Sequence, residues 1–380
     1  MNVCNDQSYV LERSDFPSLL GLLQEQGYEI VAPGVRDGAI VYDTMHTVED
    51  LPVGWTDEQA PGRYGLTRRS DDALFGYALG PDSWKRHLHP PRRRLWRATK
   101  SADALSFAPE LTSPKKKAFL GVRACELEAI KVQDKVLQDG PYSDHDYATR
   151  RKNALIIAVN CGAPSATCFC TSMGTGPEAQ EGYDMALTEM YSQKKHQFLV
   201  TAGSKTGAAL LEKLPVSPAP EDAINAAKKI TDATANTISR RLETNGLKEF
   251  LQDNPEHPQW NDVADRCLSC GNCSSVCPTC FCTTTEDRTS LDGAESERVQ
   301  RWDSCFTAEF SELSGGSVRK STKSRYRQWM THKLSTWIDQ FGVSGCVGCG
   351  RCIAWCPVGI DITEEARVMR AIESKDHEVN

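Results

Sequence analysis

Cysteine is the residue type through which this sequence has most scope for chemistry. The chain of 380 residues contains 16 cysteines, and most of them stand in Cys-x-x-Cys or Cys-x-Cys spacings. Such close spacing suits thiolate ligands of metals better than disulfide bridges between distant segments. The N-terminus shows no basic start followed by an apolar stretch, so a signal peptide is not predicted. We therefore expect a cytoplasmic protein whose reduced thiols are available as ligands.

Two cysteine runs near the C-terminus share the pattern Cys-x-x-Cys-x-x-Cys-x-x-x-Cys-Pro. The first begins at Cys267 and ends at Cys277-Pro278, and the second begins at Cys346 and ends at Cys356-Pro357. Three cysteines at three-residue steps can bind three irons of a [4Fe–4S] cube, and the fourth, before proline, ligates the other cluster in two-cluster ferredoxins. Structural zinc also uses Cys-x-x-Cys pairs but does not call for this longer run.

The pattern predicts two [4Fe–4S] clusters whose ligands cross between the runs. The ligands of the first cluster are expected to be Cys267, Cys270, Cys273 and Cys356. Those of the second are expected to be Cys346, Cys349, Cys352 and Cys277. Gly271, Gly348 and Gly350 suit loops whose backbone approaches a cluster closely. Two fully ligated clusters side by side indicate electron transfer rather than substrate activation, and no catalytic site is evident.

Four more cysteines lie near two candidate strands of the middle region. Cys125 follows the apolar segment ending at Val122, Cys161 follows ALIIAV, and CFC contributes Cys168 and Cys170. If the two strands are parallel, both cysteines emerge at the same edge, where α/β sheets place ligands. We favour a third [4Fe–4S] cluster; the alternatives are buried cysteines that act as small hydrophobes, or a zinc site.

Three cysteines besides Cys4 have no assignment. Cys280 and Cys282 lie in CPTCFC, and Cys305 lies in RWDSC. They are either ligands of a further cluster with a missing or non-cysteine fourth ligand, or a thiol-rich wall beside the ferredoxin clusters. Cys4 stands in a terminus expected to fray and is predicted to be inert.

The elements that must position these cysteines suggest several domains. Strand and helix signals alternate over residues 115–215, which favours a mostly parallel sheet. We predict an α+β and α/β multidomain protein with an α/β N-terminal part and a C-terminal ferredoxin-like, mainly helical module for two [4Fe–4S] clusters. The expected divisions are a mixed α/β domain at 1–110, an α/β domain at 111–222, a linking helix at 223–259 and the dicluster domain at 260–380.

Composition excludes some classes of partner. The formal net charge is −7, which gives no argument for nucleic acid, and the basic stretch at 85–100 is better explained as a solvated face or docking surface. The segment ALIIAV is one of the longest apolar runs and is far too short to span a membrane. Residues 174–177 (GTGP) do not complete a nucleotide-binding fingerprint.

The cysteine blocks resemble a known family. RACELEAI, NCGAPSATCFCTSMGTGP, CLSCGNCSSVCPTCFC, RWDSC and GCVGCGRCIAWCPVGIDI occur in the order found in 4Fe–4S dicluster subunits of cytoplasmic redox complexes. The chain resembles the beta subunit of sulfhydrogenase-type [NiFe] hydrogenases and is also similar to the A subunit of anaerobic sulfite reductase. DLPVGWTDEQAPGRYGL and FGYALGPDSWK are closer to the hydrogenase subunits. Glu126 stands where the family motif more often has aspartate after the cysteine.

The resemblance implies an electron-transfer role within a complex. A flavin subunit would exchange electrons with NAD(P), a catalytic module with [NiFe] hydrogenase small and large subunits would handle hydrogen, and this chain would relay electrons between them. A sulfite reductase complex would use the same cluster chemistry. A third reading, from another class, is a stand-alone flavin or thiol-redox enzyme that uses Cys280, Cys282 and Cys305 for thiol–disulfide exchange.

Overall fold

The computed structural model describes residues 7–78, 80–101, 104–110, 114–192 and 195–378. Cys4 lies outside the described residues. The strands are β1 (Ser8–Glu12), β2 (Glu29–Arg36), β3 (Ala39–Thr44), β4 (Trp55–Ala60), β5 (Arg63–Arg68), β6 (Arg92–Lys100), β7 (Leu105–Pro109), β8 (Lys117–Val122), β9 (Ala154–Val159), β10 (Met185–Tyr191), β11 (His196–Ala202), β12 (Ser217–Pro218), β13 (Thr283–Thr289), β14 (Glu295–Trp302), β15 (Glu312–Leu313) and β16 (Gly316–Ser317).

The α-helices are distributed over both halves of the chain. They are α1 (Phe16–Glu25), α2 (Lys85–Leu88), α3 (Ala124–Leu137), α4 (His145–Lys152), α5 (Cys170–Met173), α6 (Lys205–Leu211), α7 (Glu221–Thr237), α8 (Leu247–Asp253), α9 (Gln259–Arg266), α10 (Asn272–Ser275), α11 (Thr322–Thr331), α12 (Trp337–Phe341), α13 (Arg351–Ala354) and α14 (Ile362–Glu378). No helix in the described ranges is both long enough and apolar enough to span a membrane.

An eight-stranded sheet organises the first part of the chain. Its strand order is β12-β1-β11-β10-β9-β8-β2-β3, and the central strands β2, β8, β9 and β10 pair in parallel. Strands β8 and β9 are almost wholly apolar and buried, as expected where helices cover both faces of a parallel sheet. The parallel pairing expected of the two strands before Cys125 and Cys161 is therefore present.

The expected boundary at residue 110 does not divide this sheet. Strands β1–β3 come from the first segment, and they flank or join strands from residues 117–202. One apolar core includes Phe16 and Leu19 of α1 together with Leu120 of β8 and Val159 of β9. Residues on either side of position 110 thus fold around common apolar surface, because neither set of strands buries both faces alone.

The C-terminal region combines helices with a β-hairpin. Helices α9 to α14 surround the two cysteine runs, and β13 and β14 form a hairpin that extends a second sheet of order β13-β14-β6-β7. Strand β6 carries most of the basic stretch, and its Arg93 pairs with Asp144 at 2.5 Å while Arg94 contacts Glu110 and Glu297. Partners within the chain therefore account for much of this positive charge.

The segment after the sheet contains more than a linking helix. Helix α7 runs from Glu221 to Thr237 and packs against β10 and β11, and an irregular stretch then leads to the short helix α8. Buried Leu242, Leu247 and Leu251 join the core under the cysteine runs. This segment is thus part of the packing that connects the sheet to the C-terminal region.

A buried ion pair joins the sheet region to the second cysteine run. Glu126 on α3 accepts hydrogen bonds from Arg351 at 2.5 Å, Tyr42 at 2.6 Å and the Trp84 indole at 3.0 Å. Both charged side chains are only 1% exposed. Arg351 also donates to the carbonyl oxygens of Gly80 and Asp82. Pairing and additional hydrogen bonds are the conditions under which buried charges are tolerated.

Removing one member of this pair should destabilise the protein strongly. Glu126→Ala leaves the Arg351 charge buried without its carboxylate, and we expect the free energy of unfolding to fall by about 3–5 kcal/mol. Anaerobic urea unfolding followed by tryptophan fluorescence measures this change. Glu128→Ala, on the same helix, removes only the half-exposed pair with Lys131 and should cost about 0–1 kcal/mol. Equal losses in the two variants would contradict the structural role of the buried pair.

Candidate metal centre

Four cysteines of the first predicted set surround one cavity. Its cysteine lining includes Cys267, Cys270, Cys273 and Cys356, and its walls are otherwise largely apolar. Burial raises the pKa of the Cys267 thiol, and the neighbouring Cys356 and Cys270 thiols raise it further. Cys270 is the exposed member. The fold thus brings together the three-cysteine loop of one run and the last cysteine of the other, as the crossed ligation pattern requires.

The second predicted set also converges. Burial raises the pKa of Cys352 well above its usual value, and the thiols of Cys346, Cys349 and Cys277 are the next largest influences. The pKa of Cys346 rises to about 12, first through burial and then through Cys349 and Cys277. Cys273 of the first set also raises the pKa of Cys352. The two four-thiol sets are therefore direct neighbours.

The two runs repeat the same local backbone. Ser269 and Gly348, each two residues after the first cysteine of its run, both have positive φ, at 50° and 66°. Gly271 and Gly350 also have positive φ and precede the short helices α10 and α13. The amides of Ser269 and Gly348 donate to the sulfurs of Cys267 and Cys346 at 3.4 and 3.5 Å. The sequence repeat is thus a structural repeat as well.

Backbone amides and aromatic side chains supply the surroundings of the first set. The Ile360 amide donates to the Cys356 sulfur at 3.3 Å. Phe306, Tyr326 and Trp329 form part of the cavity wall. Amide donors to sulfur and an apolar shell are two of the features by which proteins adjust the reduction potential of iron–sulfur clusters.

The four cysteines of the middle region form a third set. The pKa of Cys168 is raised to about 11, mainly by burial, with Cys161 and Cys349 among the smaller contributors. Burial also raises the pKa of Cys170 and of Cys125, and the nearby Cys161 and Cys349 thiols raise both pKa values further. The Arg123 guanidinium hydrogen-bonds to the Cys161 thiol. All four thiols therefore lie near one another and near Cys349 of the second set.

Backbone contacts dock the third set onto the second run. The Phe169 amide donates to the carbonyl of Gly348 at 2.8 Å, and the Thr175 hydroxyl donates to that of Val347 at 2.6 Å. A Cβ on Gly348 would lie 2.7 Å from the backbone of Cys170, and one on Gly350 would lie 2.4 Å from the Thr167 carbonyl oxygen. Glycine is required at these positions because two backbone segments meet there.

The cysteine patterns gave no indication of Lys333, which contacts the second set. Its ammonium group is buried and donates to the sulfurs of Cys277 at 3.2 Å and Cys280 at 3.6 Å. Burial opposes its charge, but the adjacent Cys277 and Cys280 thiols raise its pKa well above the usual value. Lys333 lies in the π-helical segment His332–Thr336, a feature found frequently at functional sites. A lysine within the aromatic segment WMTHKLSTW was the available signal.

Arg351 was also missed, although it lies between two ligand candidates of the second run. Its guanidinium hydrogen-bonds to the Cys349 thiol and also pairs with Glu126. Cys125 is the residue immediately before Glu126. The ion pair that joins the two halves of the protein therefore also lies between the second and third cysteine sets.

The three unassigned cysteines fall into two different surroundings. Cys280 contacts Cys277, and the hydrogen bond from the Cys280 thiol lowers the pKa of Cys277. Cys282 hydrogen-bonds with Cys305, which lowers the pKa of Cys282 to about 7 and raises that of Cys305. Cys280 and Cys282 also line one pocket, and Cys305 lies beside Cys282.

The three sets have the donor chemistry that a [4Fe–4S] cube needs. Each offers four thiols. Burial raises the pKa of many of these thiols and so favours their neutral form, whereas the positive charge of bound iron would favour the thiolate. Within the described ranges, no three His, Cys, Asp or Glu side chains are close enough to hold a single metal ion. In a cube, the four thiolates bind different irons and are spread around the cluster.

Gly348→Ala tests the contact between the third set and the second run. The alanine methyl group would overlap the Cys170 backbone, so the loss of stability should exceed the cost of the positive φ alone. We expect about 1–2 kcal/mol from the backbone conformation and about 1–3 kcal/mol more from the overlap. Anaerobic unfolding measures the total.

Gly342→Ala is the matched control for that variant. Gly342 has a φ of 71°, and no atom lies within 4 Å of the position that the alanine methyl group would take, so only the backbone cost of about 1–2 kcal/mol applies. A Gly348 variant no less stable than the Gly342 variant would show that the Cys170 segment does not press against this run.

Comparison with known proteins agrees with this geometry. A family described as "4Fe-4S dicluster domain" matches residues 266–360, which include both cysteine runs. The chain is 28% identical over 349 residues to sulfhydrogenase 2 subunit beta of Pyrococcus furiosus, covering 91% of this chain and 93% of the relative. No solved structure matches the chain. Residues 266–360 are thus a 4Fe–4S dicluster domain, carried by a chain that is similar over most of its length to a sulfhydrogenase beta subunit.

Proposed function

We propose that this chain is an iron–sulfur electron-transfer subunit with three [4Fe–4S] clusters. The observation that supports this most directly is that three four-thiol sets follow one another in space. Cys352 of the second set lies near Cys273 of the first, and Cys349 of the second set lies near Cys125 of the third. A succession of one-electron centres conducts electrons, whereas a single structural cluster would need no second one beside it.

The ligands follow from the convergence of the thiols. The first cluster would be held by Cys267, Cys270, Cys273 and Cys356. The second would be held by Cys346, Cys349, Cys352 and Cys277. The third would be held by Cys125, Cys161, Cys168 and Cys170. When bound, each cluster accepts and releases one electron at a time. The protein holds the thiols in place, excludes water with Phe306, Tyr326 and Trp329, and donates amide hydrogen bonds to the sulfurs.

The first set, at one end of this succession, reaches the protein surface. Cys270 is exposed, and Leu268 beside it is 64% exposed. In the third set, Cys125 and Cys170 are buried, and Cys161 and Cys168 are half-buried. Electrons would therefore pass between the surface near Cys270 and the edge of the large sheet.

The complex that supports this role best is a hydrogenase-type complex. The relative is named as a subunit of a sulfhydrogenase and is similar over 91% of this chain. We infer partners of two kinds, a flavin subunit that exchanges electrons with NAD(P) and a [NiFe] hydrogenase module of small and large subunits. The need for reduced thiol ligands supports a cytoplasmic location. An anaerobic sulfite reductase complex is the alternative, with the same clusters and a different catalytic partner.

Metal analysis tests the number and kind of clusters. We expect about twelve irons and twelve acid-labile sulfides per chain after anaerobic purification, since each cube contains four of each. Cys161→Ser should lose about four irons while retaining the two ferredoxin-type clusters. Eight irons in both proteins would remove the third cluster. Zinc without sulfide would refute the electron-transfer role.

Lys333→Met tests the influence of the buried ammonium group on the second cluster. The substitution removes a positively charged group that donates a hydrogen bond to a ligand sulfur. Without that charge, the reduced cluster, which is more negative, is stabilised less than the oxidised one. We expect one reduction potential to become more negative by on the order of 60 mV, the equivalent of about 1.4 kcal/mol in a one-electron couple. Redox titration monitored by EPR measures this shift.

Lys323→Met provides the control for the charge itself. Lys323 lies near the start of helix α11 and pairs with Glu256 at the surface, where solvent screens its field. Its substitution should leave every cluster potential unchanged. A positive shift in the Lys333 variant, or equal shifts in the two variants, would refute the assignment of Lys333.

A further inference from the structure

A second pocket lies beside the first cysteine set and is lined by thiols that the cluster assignment does not use. It opens between the start of the β13–β14 hairpin and the loop of the first run. Its lining includes Cys280, Cys282, Lys85, Arg301, Asp303 and the exposed ligand candidate Cys270. This pocket thus combines free thiols, charged side chains and access from the surface next to a proposed electron-transfer centre.

The hairpin register brings two of these thiols together. Thr283 pairs with Trp302 at the open end of the hairpin, and the Asp303 amide donates to the Cys282 carbonyl at 2.9 Å. Cys282 therefore directly precedes one strand, and Cys305 follows the other strand by three residues. Their side chains are in hydrogen-bonding contact. Two cysteine side chains in contact at the open end of a hairpin are close enough to be candidates for a reversible disulfide.

The two thiols have different surroundings. Cys282 faces the pocket, whereas Cys305 packs with Cys267 and Cys273 against the core under the first run. The nearby Cys273 thiol also raises the pKa of Cys305. The pair therefore forms a short path from the pocket, through Cys282 and then Cys305, to the ligands of the first proposed cluster.

Access from the pocket favours Cys282 as the attacking thiol, and its hydrogen bonding acts in the same direction. The pKa of its thiol is lowered to about 7, chiefly by the hydrogen bond from Cys305, with a smaller contribution from Lys333. Asp303 acts in the opposite direction. A thiol with a pKa near neutrality is the most effective attacking group in thiol–disulfide exchange, and hydrogen bonding from the second thiol keeps the attacking sulfur close to it.

We propose that Cys282 and Cys305 are a redox-active dithiol that reduces a small organic disulfide in this pocket. The proposal rests on the proposed function for its source of electrons, a neighbouring [4Fe–4S] centre. Cys282 is the attacking thiol, and Cys305 is the resolving thiol. The dithiol would convert one-electron transfer through the protein into a two-electron reaction at the surface.

The reaction balances over two exchanges and one reduction. The Cys282 thiolate attacks one sulfur of the substrate disulfide, forms a mixed disulfide and releases the first thiolate, which takes a proton from solvent. The Cys305 thiol loses its proton to solvent, attacks the Cys282 sulfur and releases the second thiolate, which is also protonated. Two electrons, supplied singly by a [4Fe–4S] centre, and two protons then convert the Cys282–Cys305 disulfide back to the dithiol.

Trapping experiments on the full cluster-containing chain test this assignment directly. Cys305→Ser removes the resolving thiol, so incubation with hydroxyethyl disulfide should leave a mixed disulfide on Cys282, detected by peptide mass mapping. In Cys282→Ser, Cys305 should not be labelled, because Cys282 and not Cys305 lines the pocket. The wild-type chain should instead form the Cys282–Cys305 disulfide. Absence of label at Cys282, or equal labelling of both cysteines, would refute the proposal.

Turnover provides a second test on the same proteins. With deazaflavin photoreduction as the electron source, wild type should release mercaptoethanol from hydroxyethyl disulfide above the rate measured without protein. Cys282→Ser and Cys305→Ser should abolish this release, and Cys4→Ser should retain it. Release that persists in either of the first two variants would overturn the proposal.

Iron content separates this proposal from the proposed function. Both serine variants should retain the wild-type content of iron and sulfide. A loss of about four irons in either variant would make that cysteine a cluster ligand and overturn the dithiol assignment, while leaving the electron-transfer role intact. A wild-type chain without iron and sulfide would refute the electron-transfer role, and the trapping experiment would still report on the two thiols.

Discussion

The buried pair between Glu126 and Arg351 is the interaction on which the arrangement of the cysteine sets depends. Glu126 follows Cys125 on the first turn of α3, and Arg351 lies between Cys349 and Cys352 at the start of α13. Both charges are removed from solvent, so each requires the other in a narrow range of geometry. The sheet edge that carries the third set is thereby held against the loop that carries the second.

Close backbone contact reinforces this connection. Gly348 and Gly350 meet the segment from Thr167 to Cys170 at distances that leave no room for a side chain. The hairpin turn at Gly62 also touches the second run, and its amide donates to the Ile353 carbonyl at 3.0 Å. The dicluster domain therefore does not attach through a flexible linker. Close contact of this kind would keep the distances between the proposed clusters constant, as electron transfer through a protein requires.

Charge near the sulfurs differs among the sets and gives each centre its own environment. Lys333 donates to Cys277, Arg351 to Cys349 and Arg123 to Cys161. The first set instead receives backbone amides, from Ser269 and Ile360. A full positive charge stabilises a reduced cluster more than a neutral amide does. Side-chain cations thus hydrogen-bond to sulfurs of the second and third sets, while Arg325 acts to lower the pKa of Cys267 in the first.

The sequence by itself determined the local features of this protein. The cysteine spacings predicted the crossed grouping of the two runs, and the apolar runs at β8 and β9 predicted strands whose ends carry Cys125 and Cys161. These features depend on residues close together in the chain, through loop geometry and the periodicity of side chains.

Only the tertiary structure decided how these parts meet. It placed strands from both sides of residue 110 in one sheet, brought Lys333 to Cys277 across 56 residues, and paired Glu126 with Arg351 across 225 residues. It also paired Cys282 with Cys305, a residue 23 positions further along the chain. Such contacts depend on which buried surfaces pack together and which buried charges pair when the whole chain folds. The spacing of residues within a short segment does not determine this.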